Sequence, residues 1–515
     1  MWSRPAIRRL AGVLLVGVPV ALLAAKVGTQ VVGRPPVGLA DNGDYERIMR
    51  PLGLQHVPGI YHQKYFDYFN TDYLFRPQAR YGFMSSQQLL AWPAVRLSPL
   101  WSAPHHFDLR GLGVLHGLAL LGGVLVLLLS LRGLSWAARA VAGAAVVVVL
   151  GDVGYVAYLN SFYCEPATVI FFVWALAATI VSIGEPEEAQ WSAGRAWRAA
   201  AFLVVAVALF VAAKPQNFLA AFAFAPFVFH AMCRTKAGDG QGAQWINREG
   251  GRPRLGRRGL AAVVVAGLLA FALVFPQVAS APHMRQWNLY DSIFWGILRR
   301  SPDPARDLRE LGLDESLANL AGTHAFAPYE HYYDPDVQAR LFPRASFPRI
   351  VGFYLRHPAR TWELVDVGAK SAFSTRLDYL GNFPASAGQP PVARASAHTT
   401  WSNLRESLPH TRWFVLAFFI GSGVAGLTVL TRAKGTRARR AGSLLAALAP
   451  LGFVQLVSVI VADGDYELPK HLFLFNLVFD ASVVILAACA AGAVQSRLSR
   501  SSLFIKLFHR VGQGG

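Results

Sequence analysis

The sequence predicts an all-α polytopic membrane protein with about ten transmembrane helices and an extracytoplasmic lobe. Of its 515 residues, 54% are hydrophobic and only 15% are charged, whereas soluble domains carry roughly 25% charged residues. The apolar residues are concentrated in runs of about 20, the length that crosses a bilayer as a helix. Helices satisfy their own backbone hydrogen bonds in lipid, so these runs are expected to be helical.

The predicted spans follow one another along most of the chain. In chain order they are 10–32, 111–131, 138–159, 163–183, 199–213, 217–233, 260–280, 411–431, 443–462 and 471–493. The first span follows several arginines and resembles a signal peptide, but it has no convincing small-residue cleavage site, so we expect an uncleaved helix. The apolar stretch 81–101 is interrupted by Pro93 and Pro99. We interpret it as an interfacial or re-entrant piece.

Basic residues are distributed unequally between the two sides of this predicted bundle. With the N-terminus in the cytoplasm, the inside segments carry many arginines, among them Arg4, Arg8, Arg9, Arg132, Arg139, Arg195, Arg198, Arg432 and Arg440. The short outside loops carry only Lys214 and Lys470. This positive-inside asymmetry and the even number of spans place both termini in the cytoplasm of an integral inner or plasma membrane protein.

Two long segments, 33–110 and 281–410, then lie outside. We expect three regions. An N-terminal transmembrane module covers 1–280 and includes the first extracytoplasmic loop at 33–110. An extracytoplasmic lobe covers 281–410, and C-terminal transmembrane helices with a cytoplasmic tail cover 411–515.

Several function classes are disfavoured by composition and motifs. The net charge of +19 is partly explained by membrane topology, and no nucleic-acid motif accompanies it. Three cysteines are too few and too scattered for a disulfide framework or a zinc site. The sequence contains no Walker A loop, nucleophile elbow or His-Glu-x-x-His helix, so we do not expect ATP hydrolysis by this chain.

The segment DNGDYER at 41–47 follows the first span directly. Asp41 and Asp44 are three residues apart, so a helix that starts there stacks both carboxylates on one face. In an apolar setting a carboxylate can act as a general base. The alternative is a helix N-cap, since an Asp followed three residues later by an acid is also typical of one.

Two other short loops on the predicted outer side carry candidate substrate-binding residues. Asn160, Tyr163 and Glu165 lie between the third and fourth spans, and acids at the edge of an apolar helix suggest function; an interfacial turn with an aromatic belt is the alternative. Lys214 and Gln216 lie in KPQN at 214–217. A lysine on the outer side favours phosphate binding over a snorkelling role.

The last outside loop carries DGDYE at 463–467, followed by Lys470 and His471. Its acids, Asp463, Asp465 and Glu467, suit a divalent cation, but the spacing is not that of an EF-hand, and the two basic residues also suit a phosphate. A metal is therefore possible but not favoured. In the lobe, His324 is a candidate contact for an acceptor or donor, although a role in the fold is the alternative.

These motifs and their order resemble the GT-C class of integral-membrane glycosyltransferases. Within it the chain is similar to bacterial glycan-biosynthesis hexose transferases of the WsfD type. The segments that carry the resemblance are 41–47, 160–165, 214–217, 463–467 and SIFWGIL at 292–298. The protein mannosyltransferases of the class have an Asp-Glu pair in the first loop, which this chain lacks.

The resemblance implies transfer of a hexose or pentose at the extracytoplasmic face. The donor is a polyprenyl-phosphate sugar, and the acceptor is a glycan, a lipid or a protein. An acid of the first outside loop acts as general base, which leaves Asp41 and Asp44 as alternatives, and Lys214 holds the donor phosphate. Members with a lipid-monophosphate donor generally need no metal or other cofactor. Attack opposite the phosphate inverts the anomeric centre.

Two other functions remain open from the sequence. A lipid-linked glycan flippase or transporter also needs charges in the membrane, but such sites lie near the midplane and often on inverted repeats, and this chain has no visible repeat. A polymerase or ligase with a diphosphate-linked donor differs mainly in how many basic residues meet the donor.

Overall fold

A computed structural model of the chain describes residues 4–59, 66–79, 82–183, 193–233, 256–326, 329–432 and 436–500. Within these residues, nine helices are long and apolar enough to cross a membrane, and a bent helix pair makes a tenth candidate span. The fold is an all-α polytopic membrane protein, as the sequence predicts. Most of the expected tail, residues 501–515, lies outside the described part of the chain.

The ten candidate spans lie where the hydrophobic runs predict them. They are Arg9–Val31, Leu109–Ser130, the pair Trp136–Leu150 and Val153–Leu159, Glu165–Ile183, Gly194–Val211, Pro215–Cys233, Arg257–Ala279, Arg412–Arg432, Ala438–Asp463 and Phe473–Ser499. The first span packs against the second and third, and the last span packs against the third and ninth. The two ends of the sequence therefore meet around the third span.

The span predicted at 138–159 is present but broken into two helices. Helix α1 (Trp136–Leu150) and helix α2 (Val153–Leu159) are bent by 60° at the break between them. Asp152 stabilises the start of α2, because its Oδ1 accepts a hydrogen bond of 2.8 Å from the Gly154 amide. The side-chain oxygen of such a capping residue satisfies an amide at the start of a helix that has no partner within the helix.

The segment between the first two spans contains a small sheet that the sequence analysis did not predict. Strands β1 (Leu54–His56), β2 (Asp72–Phe75) and β3 (His106–Asp108) pair antiparallel in the order β1-β2-β3. Two helices flank them: Glu46–Leu52 and Ser86–Leu97. The second has 12 residues and is too short to cross a bilayer, in keeping with an interfacial piece at 81–101.

The lobe consists of short helices without a sheet in its described residues. Its α-helices are Pro282–Tyr290, Pro304–Glu310, Tyr329–Tyr333, Pro335–Leu341, Phe347–Arg356, Pro358–Ser371 and Thr400–Glu406. A π-helix at Asp291–Ile297 continues the first of them. Many start with proline at the first position, where the missing amide proton costs no hydrogen bond.

A buried ion pair attaches the lobe to the bundle. Arg405, on the lobe helix Thr400–Glu406, donates to Asp480 in the last span at 2.8 Å, and both side chains are 1% exposed. The same guanidinium donates to the Phe373 carbonyl at 2.9 Å and to Thr375 Oγ1 at 2.6 Å. The Tyr155 hydroxyl of α2 also donates to Asp480, at 2.6 Å.

The capping carboxylate of Asp152 makes a second attachment at the same place. Its Oδ2 accepts hydrogen bonds from the amides of Trp401 and Ser402, at 2.9 and 3.0 Å. One carboxylate therefore caps both α2 and the lobe helix Thr400–Glu406. The same side chain therefore contacts the lobe helix and the second half of the broken span.

We expect Arg405→Met to destabilise the protein by about 3–5 kcal/mol, because it leaves the Asp480 carboxylate buried without its cation. Thermal unfolding of the purified protein in detergent measures the effect. The double variant Arg405→Met/Asp480→Met removes both charges and is expected to recover most of the loss. Equal destabilisation in the single and double variants would contradict a buried ion pair.

Candidate active site

Four loops at the lobe-facing end of the bundle meet and bring most of the predicted polar residues together. They are 41–47, 160–165, 214–217 and 463–471. Loop 41–47 is connected by hydrogen bonds and an ion pair to loops 160–165 and 463–471. Loop 214–217 is connected to the same two loops. The contacts between 41–47 and 463–471 join residues more than 420 positions apart in sequence.

Asp44 lies at the centre of this site, between two cations. Its carboxylate pairs with the buried ammonium group of Lys470 and with Arg47, whose Nη2 is 2.7 Å from Oδ1. Lys470 Nζ is also 3.6 Å from Glu467 Oε2 and lies 4.9 Å from the centre of the Tyr163 ring. A cation in this position is held by two carboxylates and by the face of an aromatic ring.

These contacts keep both members of the pair charged. Burial acts to raise the pKa of Asp44, but the charges of Arg47 and Lys470 outweigh it and hold that pKa well below its usual value. Burial acts to lower the pKa of Lys470, and Asp44 and Glu467 raise it above its usual value. Asp44 is therefore ionised and weakly basic in this state.

The neighbouring carboxylate, Asp41, has a different environment. Its Oδ1 accepts hydrogen bonds from the amides of Gly43 and Tyr45, at 2.7 and 3.2 Å, and its Oδ2 lies 3.1 Å from His56 Nε2. The Asp41 side chain is 7% exposed, against 22% for Asp44. Helix Glu46–Leu52 begins after both acids and has no side-chain cap, so the expectation of a helix that starts at Asp41 is wrong, and Asp41 is not its N-cap. Asp41 instead stabilises the turn before that helix, and Asp44 is the more exposed carboxylate.

Asn42 and Tyr163 connect the first loop to the two loops beside it. Asn42 Nδ2 donates to both carboxylate oxygens of Glu467, at 3.1 and 2.9 Å. The Tyr163 hydroxyl donates to the Ala40 carbonyl at 2.7 Å and accepts from the Asn42 amide at 3.0 Å. Burial raises the pKa of Tyr163, so its phenol keeps its proton. Glu467 has a positive φ of 45°, a strained conformation of the kind found at functional sites.

Lys214, predicted to bind phosphate, is paired with Glu165. Its Nζ lies 2.7 Å from Glu165 Oε1, and the two side chains are 15% and 2% exposed. The ion pair explains how a lysine and a glutamate are accommodated at the ends of apolar helices. Lys214 also contributes to lowering the pKa of Asp44, so the two lie within electrostatic reach of each other.

A chain of hydrogen bonds runs from Gln216 to the end of the ninth span. Gln216 Nε2 lies 2.6 Å from His471 Nδ1, and His471 Nε2 lies 3.1 Å from Asp463 Oδ2. Burial, with the charges of Lys214 and Lys470, holds the pKa of His471 well below its usual value. His471 is therefore a neutral contact and does not add a positive charge to the site.

Three predicted residues lie outside this set of contacts. Asn160 is buried and donates to the carbonyls of Val31 and Val37, at 2.9 and 2.8 Å, which holds the chain as it leaves the first span. Asp465 pairs with Arg300. The ring of His324 stacks on Tyr466, with centroids 4.5 Å apart. These contacts shape the surroundings of the site.

Two residues near the site were not among the predicted ones. Arg47 is signalled by its spacing of three from Asp44, which brings the two side chains together across the turn that precedes helix Glu46–Leu52. Asp291 is fully buried, and its Oδ1 accepts a 2.6 Å hydrogen bond from the Ala325 amide. Burial raises the pKa of Asp291 to about 7. The sequence suggests only a role in the fold for the segment 288–291, because the burial of Asp291 depends on residues distant in sequence, such as Ala325.

Among the described residues, no group of three or more His, Cys, Asp or Glu side chains has the arrangement of a metal site. The acids of the last loop point to different partners: His471 for Asp463, Arg300 for Asp465, and Asn42 with Lys470 for Glu467.

The helices and their buried polar contacts define an integral, multi-pass membrane protein with a polar site at one end of the bundle. The chain belongs to the family described as the YfdI N-terminal transmembrane domain, whose model matches residues 5–504. No curated protein sequence matches the chain.

Among solved structures, the chain is similar to two of the Archaeoglobus fulgidus oligosaccharyltransferase. The apo form has 12% sequence identity and a TM-score of 0.40, over 96% of this chain and 52% of that chain. The form tethered to an acceptor peptide with the NVT sequon has 10% identity and a TM-score of 0.38, over 95% and 51%. The present chain spans about half the length of both.

We expect Asp41→Ala to lower the free energy of unfolding by about 1–3 kcal/mol, the usual cost of leaving a buried hydrogen-bonding group without its partner. The reason is that the Gly43 and Tyr45 amides lose their acceptor. Asp41→Asn keeps an acceptor oxygen and serves as the matched control, measured by the same thermal unfolding. A stability of Asp41→Ala equal to that of the native protein would show that these two hydrogen bonds contribute nothing.

Proposed function

We propose that this protein is a membrane glycosyltransferase of the GT-C kind. It transfers a hexose or pentose from a polyprenyl-phosphate donor to a glycan, lipid or protein acceptor at the extracytoplasmic face. The observation that carries the proposal is the contact of Asp44 with Lys470 and Arg47. A base and phosphate-binding cations are the two kinds of group that this reaction needs.

The location of the site suits a lipid-linked donor. Lys214 lies between the fifth and sixth candidate spans, and Lys470 lies just before the tenth. Both are therefore at the level where helices leave the apolar part of the bundle. A polyprenyl chain remains in the bilayer, and its phosphate then lies at this same level. The site does not require the donor to leave the membrane.

The cations of the site are the proposed ligands of the donor phosphate. Lys214 is paired with Glu165, and Lys470 and Arg47 are paired with Asp44. The donor phosphodiester carries one negative charge, as Asp44 does, and its oxygens accept hydrogen bonds from the same cations. We propose that the donor binds by exchange, so that Lys470 and Arg47 move from Asp44 to the phosphate.

This exchange links donor binding to the strength of the base. While Lys470 and Arg47 contact Asp44, the pKa of that carboxyl is held low, and a weakly basic group removes a hydroxyl proton poorly. When the two cations turn to the phosphate, the pKa of Asp44 rises. Asp44 then becomes an effective base only when the donor is bound, which disfavours proton removal in the empty site.

The proposed reaction is a single displacement. Asp44 accepts the proton of the acceptor hydroxyl, and the hydroxyl oxygen forms a bond to the anomeric carbon. The bond between that carbon and the phosphate oxygen breaks, and its electron pair leaves with the polyprenyl phosphate. Lys214, Lys470 and Arg47 stabilise the charge that develops on the leaving group. The anomeric configuration is inverted, and side-chain cations supply the positive charge without a divalent metal.

We expect Asp44→Asn to reduce sugar transfer by about 10²–10⁴-fold, the usual contribution of a general base. The assay supplies membranes containing the protein with a panel of radiolabelled polyprenyl-phosphate sugars and measures the label that leaves the lipid. Asp41→Asn, at equal expression, is the matched control and is expected to retain most of the transfer.

The same assay separates the alternatives. Full activity in Asp44→Asn would contradict its role as base. Label that stays on the lipid but changes leaflet would indicate a flippase instead, and transfer only from a diphosphate-linked donor would indicate a polymerase or ligase. The narrower resemblance to hexose transferases of the WsfD type stays a prediction. The panel tests it by showing whether a hexose is transferred.

The pH dependence of transfer provides an independent test. In the free enzyme Asp44 has a lowered pKa, so it is ionised above that value and loses its charge only as the pH falls through it. The kcat/KM for the donor reports the enzyme before the donor binds. The acidic limb of its pH profile is therefore expected below the usual range for an aspartic acid. Lys470→Met removes one cause of the shift and is expected to move this limb to higher pH. An unmoved limb would exclude Asp44 as the titrating group.

A further inference from the structure

Two consecutive helices of the lobe expose an apolar stripe. On Phe347–Arg356, Val351 and Leu355 are four residues apart and share one face, and they are 44% and 79% exposed. The opposite face, with Ile350 and Phe353, is buried. On Pro358–Ser371, the next helix along the chain, Trp362 is 37% exposed. An apolar face of this kind on a helix suits an apolar environment better than water.

The helix Pro358–Ser371 lies beside a membrane span. A Cβ atom on Gly368 would be 2.7 Å from Cγ of Leu456, which shows close packing of this helix on Thr436–Asp463. Leu456 is seven residues from the end of that span at Asp463, or about 10 Å along the helix axis. The lobe helix therefore packs alongside the candidate span about two turns before that span ends.

Trp362 lies next to the start of another span. Its ring centroid is 5.9 Å from that of Trp413, the second residue of Arg412–Arg432. The guanidinium of Arg412 is 5.3 and 5.2 Å from the two rings, and its Nη1 donates to Asp366 at 2.8 Å. Tryptophan and arginine side chains at the end of a span are typical of the headgroup region of a bilayer.

We propose that the Val351–Leu355–Trp362 stripe is inserted in the lipid leaflet on the lobe's side of the membrane, so that the helices Phe347–Arg356 and Pro358–Ser371 form an interfacial anchor. The stripe continues the lipid-facing surface of the span that begins at Arg412. Arg356, exposed at the end of the first helix, is placed to contact lipid phosphates. Such an amphipathic helix lies in the plane of the interface with its apolar face in the acyl region.

The helix Ser86–Leu97 shows the same pattern in the other long segment. Leu89 and Trp92 are 62% and 52% exposed, Leu100 just beyond it is 78% exposed, and Ala91 and Ala94 on the other side are buried. Both long segments therefore carry short helices with exposed leucine and tryptophan. Contact of these exposed side chains with lipid explains the pattern in both segments.

Site-directed spin labelling of the full chain in phospholipid vesicles tests the proposal. Labels are attached at Leu355→Cys and, as matched control, at Arg309→Cys, whose native side chain is 64% exposed on the same lobe. Cys233 and Cys489 are replaced by Ala, and the buried Cys164 is kept. We expect the label at 355 to collide more with oxygen than with a water-soluble nickel complex, and the label at 309 to show the reverse.

Access of the nickel complex to position 355 equal to that at position 309 would overturn the proposal. So would a fixed short distance between labels at 355 in two molecules, since the stripe would then bind a second copy of the chain. Size-exclusion elution identical to that of the native protein shows that each labelled variant is folded. The measurement uses no substrate, so it is independent of the proposed transferase activity.

Discussion

A charged side chain that is buried needs a partner of opposite charge. This requirement determines how the lobe-facing end of the protein is arranged. An uncompensated charge costs about 3–5 kcal/mol in a buried position. Arg405 meets Asp480, Lys214 meets Glu165, and Lys470 meets two carboxylates. Except for Lys470 with Glu467, which are three residues apart, each pair joins segments that are distant in sequence. The lobe and the loops therefore take the positions in which these charges are matched.

Most of the fold could be predicted because its signal is local. A run of apolar residues specifies a span without reference to the rest of the chain, and the expected 411–431 is observed as Arg412–Arg432. The break in the third span depends instead on Asp152, whose carboxylate binds amides about 250 residues away. The strands escaped prediction because each has only three or four residues, too few for a recognisable alternation.

The sequence predicts which loops form the candidate site, but it does not predict the role of each side chain in it. Polar motifs on one side of the membrane indicate which loops meet. Spacing alone does not distinguish Asp41 from Asp44, because the difference comes from His56 on a strand and from Lys470 near the last span. Asn160 is a second example. Its side chain could bind a substrate, but it donates hydrogen bonds to the carbonyls of Val31 and Val37, which are distant in sequence.

The contacts of Asp44 and Asn42 with the last loop affect how the protein is made. The ribosome synthesises residues 41–47 early and residues 463–471 some 420 residues later. Until residues 463–471 have been synthesised, Asp44 lacks Lys470 and Asn42 lacks Glu467. The two parts of the site are therefore joined only after the first nine candidate spans have been made. During that interval Arg47, three residues away, is the cation of the same loop that can balance the charge of Asp44.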